Sequence, residues 1–188
     1  MKDRLQDYVL TVPNVLTDNL CKKILKELKN SNWENQNFYS HRKRAYEPDR
    51  MSDSNTTFDQ IPSAQDIKDG IWKTIHKYIL EEFNFPWFVG WEGFSILKYN
   101  RYHKNKLMRE HCDHISSIFD GEKRGIPTLS IIGSLNNNYE GGELIMFQDK
   151  EYNIRAGEIL IFPSNFLYPH KVMPVTKGTR YTYVSWVF

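Results

Sequence analysis

The sequence predicts a mainly β fold, a two-sheet jelly roll with helices packed on it. Three observations carry this expectation. From Trp87 onward, short runs rich in β-branched and aromatic residues recur between turn residues such as Asn105, Gly121, Gly125, Gly141 and Gly178. Phe, Tyr and Trp make up 14% of the 188 residues, a bulky composition suited to packing on sheets. Before Trp87, two segments carry a helical rather than an alternating period.

The first expected element is a short strand at residues 8–12. A helix follows, capped by Thr17 or Asp18, with Leu20, Ile24, Leu25 and Leu28 as its apolar stripe. Residues 30–62 are polar and include His41-Arg42-Lys43-Arg44, Arg50, Tyr39 and Tyr46. They read as a long loop with room for a hairpin, and loops of that length are usually functional or disordered. Ser63 and Asp66 fit a capping box that opens a second helix. Its stripe is Ile67, Ile71, Trp72, Ile75 and Ile79, and Asn84-Phe85-Pro86 ends it. Strands are then expected at residues 93–99, 108–114, 128–135, 142–147, 157–162, 170–174 and 180–188. Residues 1–86 are thus expected to supply helical support and a substrate loop to the same domain as a core at 87–188. No internal repeat or low-complexity tract interrupts this plan.

Composition narrows the function classes. An apolar fraction of 40% is enough for a sizeable core, and a net charge of +2 gives no warrant for a nucleic-acid groove. Two distant cysteines, Cys21 and Cys112, make no disulfide framework and favour a reducing compartment. Met1-Lys2-Asp3-Arg4 opens no apolar leader, and no apolar run approaches the roughly 18 residues of a membrane helix. The expectation is a soluble, cytoplasmic protein.

His111 and Asp113 are two residues apart, so a strand would aim both side chains the same way, with Cys112 on the other face. An imidazole and a carboxylate converging on one point form half of a metal site, although such pairs also arise by chance on polar strands. His170, in Tyr168-Pro169-His170-Lys171-Val172, is the best candidate for a third ligand. Two histidines and one carboxylate make the facial triad that leaves positions open on Fe(II). His114 is a weaker alternative to His111, since it would face away from Asp113. His76 reads as a helix-edge residue, and His41 and His103 as solvated.

Arg180 heads Arg180-Tyr181-Thr182-Tyr183-Val184-Ser185-Trp186-Val187-Phe188, where Arg180, Thr182, Val184, Trp186 and Phe188 share a face apolar enough to point inward. A guanidinium there needs an anion, because an unpaired buried charge is costly. Its planar fork suits a carboxylate. The distal carboxylate of 2-oxoglutarate would serve; so would Glu143 or Glu158 of the chain itself.

These residues, with their order and spacing, resemble the prolyl-hydroxylase branch of the Fe(II)/2-oxoglutarate dioxygenases. The run begins at Leu97-Lys98-Tyr99 and His111-Cys112-Asp113, and continues through Leu135-Asn136 and Tyr139-Glu140-Gly141-Gly142-Glu143-Leu144. Gly157-Glu158-Ile159-Leu160-Ile161-Phe162-Pro163, His170-Lys171-Val172, Pro174-Val175 and Gly178-Thr179-Arg180-Tyr181 complete it. The resemblance implies a double-stranded β-helix with Fe(II) held by His111, Asp113 and His170. It implies Arg180 as the anchor of 2-oxoglutarate, with Tyr99 helping to hold it, and O₂ as the second cosubstrate. It places Trp186 either near the pocket floor or in the core, and adds ascorbate as an accessory reductant. Gly141-Gly142 matches a tight turn. Collagen-type members often place Lys where this chain has Arg180, so arginine leans toward the oxygen-sensor and bacterial types. Asn100-Arg101 replaces the usual glycine after the tyrosine, and Asn138 stands where relatives are often acidic. The activity implied is hydroxylation of a prolyl residue in a protein or peptide, with residues 30–62 expected to help clamp the substrate. The alternatives are an oxygenase acting on another residue or a small molecule, and a metal-binding cupin-like module with no oxygenase activity.

Overall fold

The computed structural model describes residues 2–36, 39–40, 45–46, 53–84, 93–113, 118–119 and 124–188; for 39–40, 45–46, 118–119 and 124 it describes the backbone alone. His114 and the basic cluster at residues 41–44, with Arg50, therefore lie outside the described residues, as do the side chains of Tyr39 and Tyr46.

Two antiparallel sheets form the body. The larger has seven strands, in the order Leu10–Val12, Ile159–Pro163, Leu129–Ser134, Arg180–Val187, Lys98–Tyr102, Asn55–Thr57 and Glu34–Asn35. The smaller has four: Lys150–Tyr152, Leu144–Met146, His170–Val172 and Met108–His111. Tyr139–Gly141 pairs separately with Val175–Gly178. The arrangement is the jelly roll expected from the sequence.

Helix α1 spans Asp18–Glu27, and its Thr17 hydroxyl accepts from Leu20 N at 3.2 Å. That bond satisfies one of the orphan donors of the first turn. Helix α2 spans Ala64–His76 and continues into the π-helical stretch Lys77–Glu82. Ile24 and Leu28 of the first helical segment and Ile67, Ile71, Ile75 and Ile79 of the second are buried. They pack on one face of the large sheet against Leu129, Ile131, Ile159, Ile161 and Tyr183. The opposite face carries Ile132, Leu160 and Phe162, which meet Leu144, Met146 and Val172 of the small sheet. Because the large sheet is covered on both faces, Ile159-Leu160-Ile161-Phe162 is an unbroken apolar run rather than an alternating one.

Several expectations are corrected. Leu5–Tyr8 forms a 3-10 turn, so the first strand begins at Leu10. Residues 30–62 are not one loop: Glu34–Asn35 and Asn55–Thr57 extend the large sheet, while the antiparallel pairing of Tyr39–Ser40 with Ala45–Tyr46 agrees with the hairpin the segment had room for. Trp72 leaves the helical stripe and is 47% exposed, since the residue after Ile71 is rotated about 100° around the helix. Ser63 makes no side-chain cap to α2; its N–H and hydroxyl both donate to the Glu27 carboxylate, at 3.0 and 2.9 Å.

Candidate active site

The site lies between the two sheets. His111 ends the strand Met108–His111 and sits opposite His170 on the neighbouring strand His170–Val172. This register brings the imidazoles side by side, with ring centroids 4.4 Å apart. The strand stops at His111, short of the expected residue 114, and Asp113 follows in a bend. Its carboxylate reaches both rings, Oδ1 at 3.6 Å from His111 Nε2 and Oδ2 at 4.0 Å from His170 Nε2. One ligand atom from each of the three lies within 4.8 Å of the others, a cluster a single ion can occupy.

Supporting contacts set the protonation of these groups. His111 Nδ1 lies 2.7 Å from Arg109 O, and His170 Nδ1 lies 3.2 Å from Tyr168 O. A carbonyl only accepts, so each Nδ1 carries the proton and donates, which leaves the Nε2 lone pair for a metal. Burial, reinforced by the neighbouring His170, pulls the His111 pKa down to about 4, so the ring is neutral at physiological pH. Burial alone would raise the Asp113 carboxyl; His170, His111 and hydrogen bonds from Ser130 and Trp186 overcome it and hold the group ionised. Ser130 donates to Asp113 Oδ2 and is itself within 2.7 Å of Ser164 Oγ. Two neutral imidazoles and one fixed carboxylate are a donor set that fits Fe(II).

The cavity beside the triad is walled by Met108, Ile132, Leu144, Val172 and Val184 and carries Arg180 at one end. Arg180 is 3% exposed. It forms no ion pair with a carboxylate among the described residues, and its Nε has no hydrogen-bond partner there. Glu158, one alternative partner, accepts instead from Arg155 N in its own turn. The Asn100 Oδ1 and Thr182 Oγ1 atoms in the same cavity also lack partners. A buried guanidinium beside the Thr182 hydroxyl, which can donate, fits a carboxylate ligand, whereas Asn100 Oδ1 calls for a donor. Gly142, at φ +71°, makes room for it: a Cβ there would lie 3.0 Å from Arg180 Cδ.

Tyr99 is not in this cavity. It pairs with Tyr183 across the strands and is buried in the helix-side cluster, where the charge of Glu27 on α1 reaches it. The period-2 rule puts Lys98, Asn100 and Tyr102 on the cavity face instead. Tyr102 is directly opposite Arg180 in register, with the guanidinium carbon 5.1 Å from its ring centroid. Sequence reasoning took the first tyrosine of Tyr99-Asn100-Arg101-Tyr102. Requiring the partner of Arg180 to share its face would have selected the second. Trp186 lines the cavity and helps to hold the Asp113 carboxyl low.

Lys98 was also missed. Its buried amine lines the cavity and donates to Gln36 Oε1. Burial draws its pKa down to about 8 against the pull of Asp113, which keeps it mostly protonated at neutral pH.

Fold and site bring two histidines and one carboxylate together in a jelly roll, with a buried arginine in the same cavity. Residues 97–188 match the family model of the 2OG-Fe(II) oxygenase superfamily and form a domain of that superfamily. Membership implies Fe(II), 2-oxoglutarate and O₂. A PKHD-type hydroxylase of Prochlorococcus marinus is 29% identical over 179 residues, covering 93% of this chain and 77% of that protein. One from Gloeothece citriformis is 30% identical over 68% of this chain and 58% of its own length. For a relative from Idiomarina loihiensis the match covers 39% of that protein, so the chain spans only part of several relatives. Among solved structures, a prolyl hydroxylase from Trichoplax adhaerens, in complex with a hypoxia inducible factor peptide fragment, superposes with a TM-score of 0.74 at 16% identity. It covers 97% of this chain and 84% of that one. A Pseudomonas putida prolyl-4-hydroxylase gives 0.65 at 17% identity, covering 96% and 91%. At these identities the structures attest to the fold.

Proposed function

We propose that the chain is an Fe(II)- and 2-oxoglutarate-dependent dioxygenase that hydroxylates a prolyl residue in a protein or peptide. The observation that carries the oxygenase reading is the pairing, in one cavity, of the His111, Asp113, His170 cluster with an Arg180 guanidinium that has no carboxylate partner among the described residues. The prolyl reading is supported by the run of barrel motifs and by the hydroxylase names of the relatives. His111, Asp113 and His170 hold the metal, which when bound supplies the oxygen activation that couples cosubstrate decarboxylation to hydroxylation. Arg180 grips the distal carboxylate of 2-oxoglutarate, and Tyr102, beside it, takes the role expected of Tyr99. Ser130 and Trp186 fix the Asp113 carboxylate toward the imidazoles. The apolar walls keep water from the reacting centre. No side chain is required as a general base.

Two free cysteines, Cys21 and Cys112, agree with a reducing, cytoplasmic setting. Among the described residues no helix is long and apolar enough to cross a membrane. The test is incubation with Fe(II), 2-oxoglutarate and a panel of proline-containing peptides, with mass spectrometry of the products. A mass gain of one oxygen on proline is expected. Oxidation confined to non-prolyl residues or small molecules would remove the prolyl assignment while leaving the oxygenase assignment in place.

A further inference from the structure

Lys98 puts a second cation into the cavity. The residue is 9% exposed. Among the described residues its ammonium has one hydrogen-bond partner, Gln36 Oε1, and no carboxylate at ion-pair distance. An ammonium carries three donors, so two remain to be satisfied.

The register separates Lys98 from the cosubstrate anchor. Lys98 is opposite Val184 and Tyr102 is opposite Arg180 on the same pair of strands. The two cations therefore stand on one face, with main chains about 13 Å apart along the ladder. Asp113 belongs to the Lys98 end: it accepts from Ser130, whose strand partner is Trp186, two residues beyond Val184. A 2-oxoglutarate gripped at Arg180 and reaching the triad extends away from Arg180 and stops at the metal ligands.

Charge balance leads to the same place. Among the described residues, the charged groups lining the cavity, besides the two histidines, are Lys98, Asp113 and Arg180. The distal carboxylate of the cosubstrate cancels Arg180, and its other carboxylate together with Asp113 cancels a divalent metal. One positive charge, on Lys98, is left in a buried space, where an uncompensated charge is costly.

We propose that Lys98 determines specificity for the prime substrate by pairing with a carboxylate that the substrate carries near the hydroxylated carbon. The proposal rests on the oxygenase reading of the site and narrows the substrate to an anionic one. A single excess charge on a compact ammonium suits a carboxylate; a phosphate dianion would be better met by an arginine fork. The carboxylate has two possible sources, the main-chain terminus of the substrate residue itself or an acidic side chain next to it.

The test uses the Mn(II)-loaded protein with 2-oxoglutarate, which binds substrate without turnover, and calorimetry with three probes. The first is N-acetyl-Ala-Ala-Pro-amide, the second is the same peptide with a free terminal carboxylate, and the third is the amide extended by glutamate. The wild type should bind one of the two carboxylate probes at least about tenfold more tightly than the neutral amide, and the winner names the source. In Lys98→Met that preference should shrink to less than about threefold, and Lys98→Arg should keep part of it. Equal or undetectable binding of all three probes by the wild type would overturn the proposal, as would a preference that persists in Lys98→Met. A Lys98→Met protein that loses Mn(II) and 2-oxoglutarate affinity to the same degree would reduce Lys98 to a structural support, which also overturns it. Replacing proline by valine in the probes separates the two readings: a Lys98-dependent preference that survives it retains the proposal and removes the prolyl assignment.

Discussion

At the scale of single residues, the metal cluster was legible because its signal is local. The His111-x-Asp113 spacing needs only the strand period, and His170 follows as a histidine at the head of a later strand. Arg180 was legible from the apolar company of its face, and its burial with no carboxylate partner among the described residues agrees with a ligand role. Arg180→Ala should therefore raise the 2-oxoglutarate requirement by about 30-fold or more, since breaking a buried charge pair costs roughly 2–5 kcal/mol. Arg180→Lys should fall between, because it keeps the charge and loses the two-pronged grip. Titrating 2-oxoglutarate against succinate formation checks both, and an unchanged requirement in Arg180→Ala would take the residue out of the site. The tyrosine was misread because face depends on register, which the sequence does not print. Tyr102→Phe should weaken 2-oxoglutarate binding by about tenfold, the value of one hydrogen bond to a charged group. Tyr99→Phe, on the helix side, should leave binding within about twofold of wild type. Calorimetric titration of both variants distinguishes them, and the reverse order would restore Tyr99 to the cavity.

At the scale of elements, long periodic segments were legible and short ones were not. Both helices followed from their stripes and the Thr17 cap. The strands Tyr139–Gly141, Lys150–Tyr152 and Val175–Gly178 escaped because three or four residues carry too little pattern to show a period. The capping box expected at Ser63 and Asp66 does not form, because Ser63 turns to another partner. The C-terminal residue of α1, Glu27, receives both Ser63 donors and so ties the start of α2 to the end of α1. Glu27→Ala should destabilise the protein by about 1.5–3 kcal/mol, because it leaves Ser63 unpaired beside a buried surface. Asp66→Ala should cost less than about 0.5 kcal/mol. Urea unfolding monitored by circular dichroism ranks the two, and a larger loss from Asp66→Ala would return the cap to the box.

At the scale of the whole molecule, the jelly roll was legible from seven recurrent strands and the helical support was expected, but the sheet pairings of the first third of the chain were not. Leu10–Val12, Glu34–Asn35 and Asn55–Thr57 complete the large sheet, and both helices cover its outer face. These pairings join residues far apart in sequence, which local pattern does not reveal. They also bring Gln36, beside the edge strand, to Lys98, so the first part of the chain supports a cavity whose own lining comes from Lys98 to Trp186. The central claim is that this cavity turns over 2-oxoglutarate on a metal held by His111, Asp113 and His170. The most direct measurement is succinate formation from 2-oxoglutarate by the purified chain with added Fe(II), run beside His170→Ala. Fe(II)-dependent succinate formation by the wild type, abolished in His170→Ala together with most of the metal affinity, is the predicted result. Succinate formation at the wild-type rate in His170→Ala, or none by a wild type that is folded, Fe(II)-loaded and supplied with O₂ and a substrate panel, would contradict it.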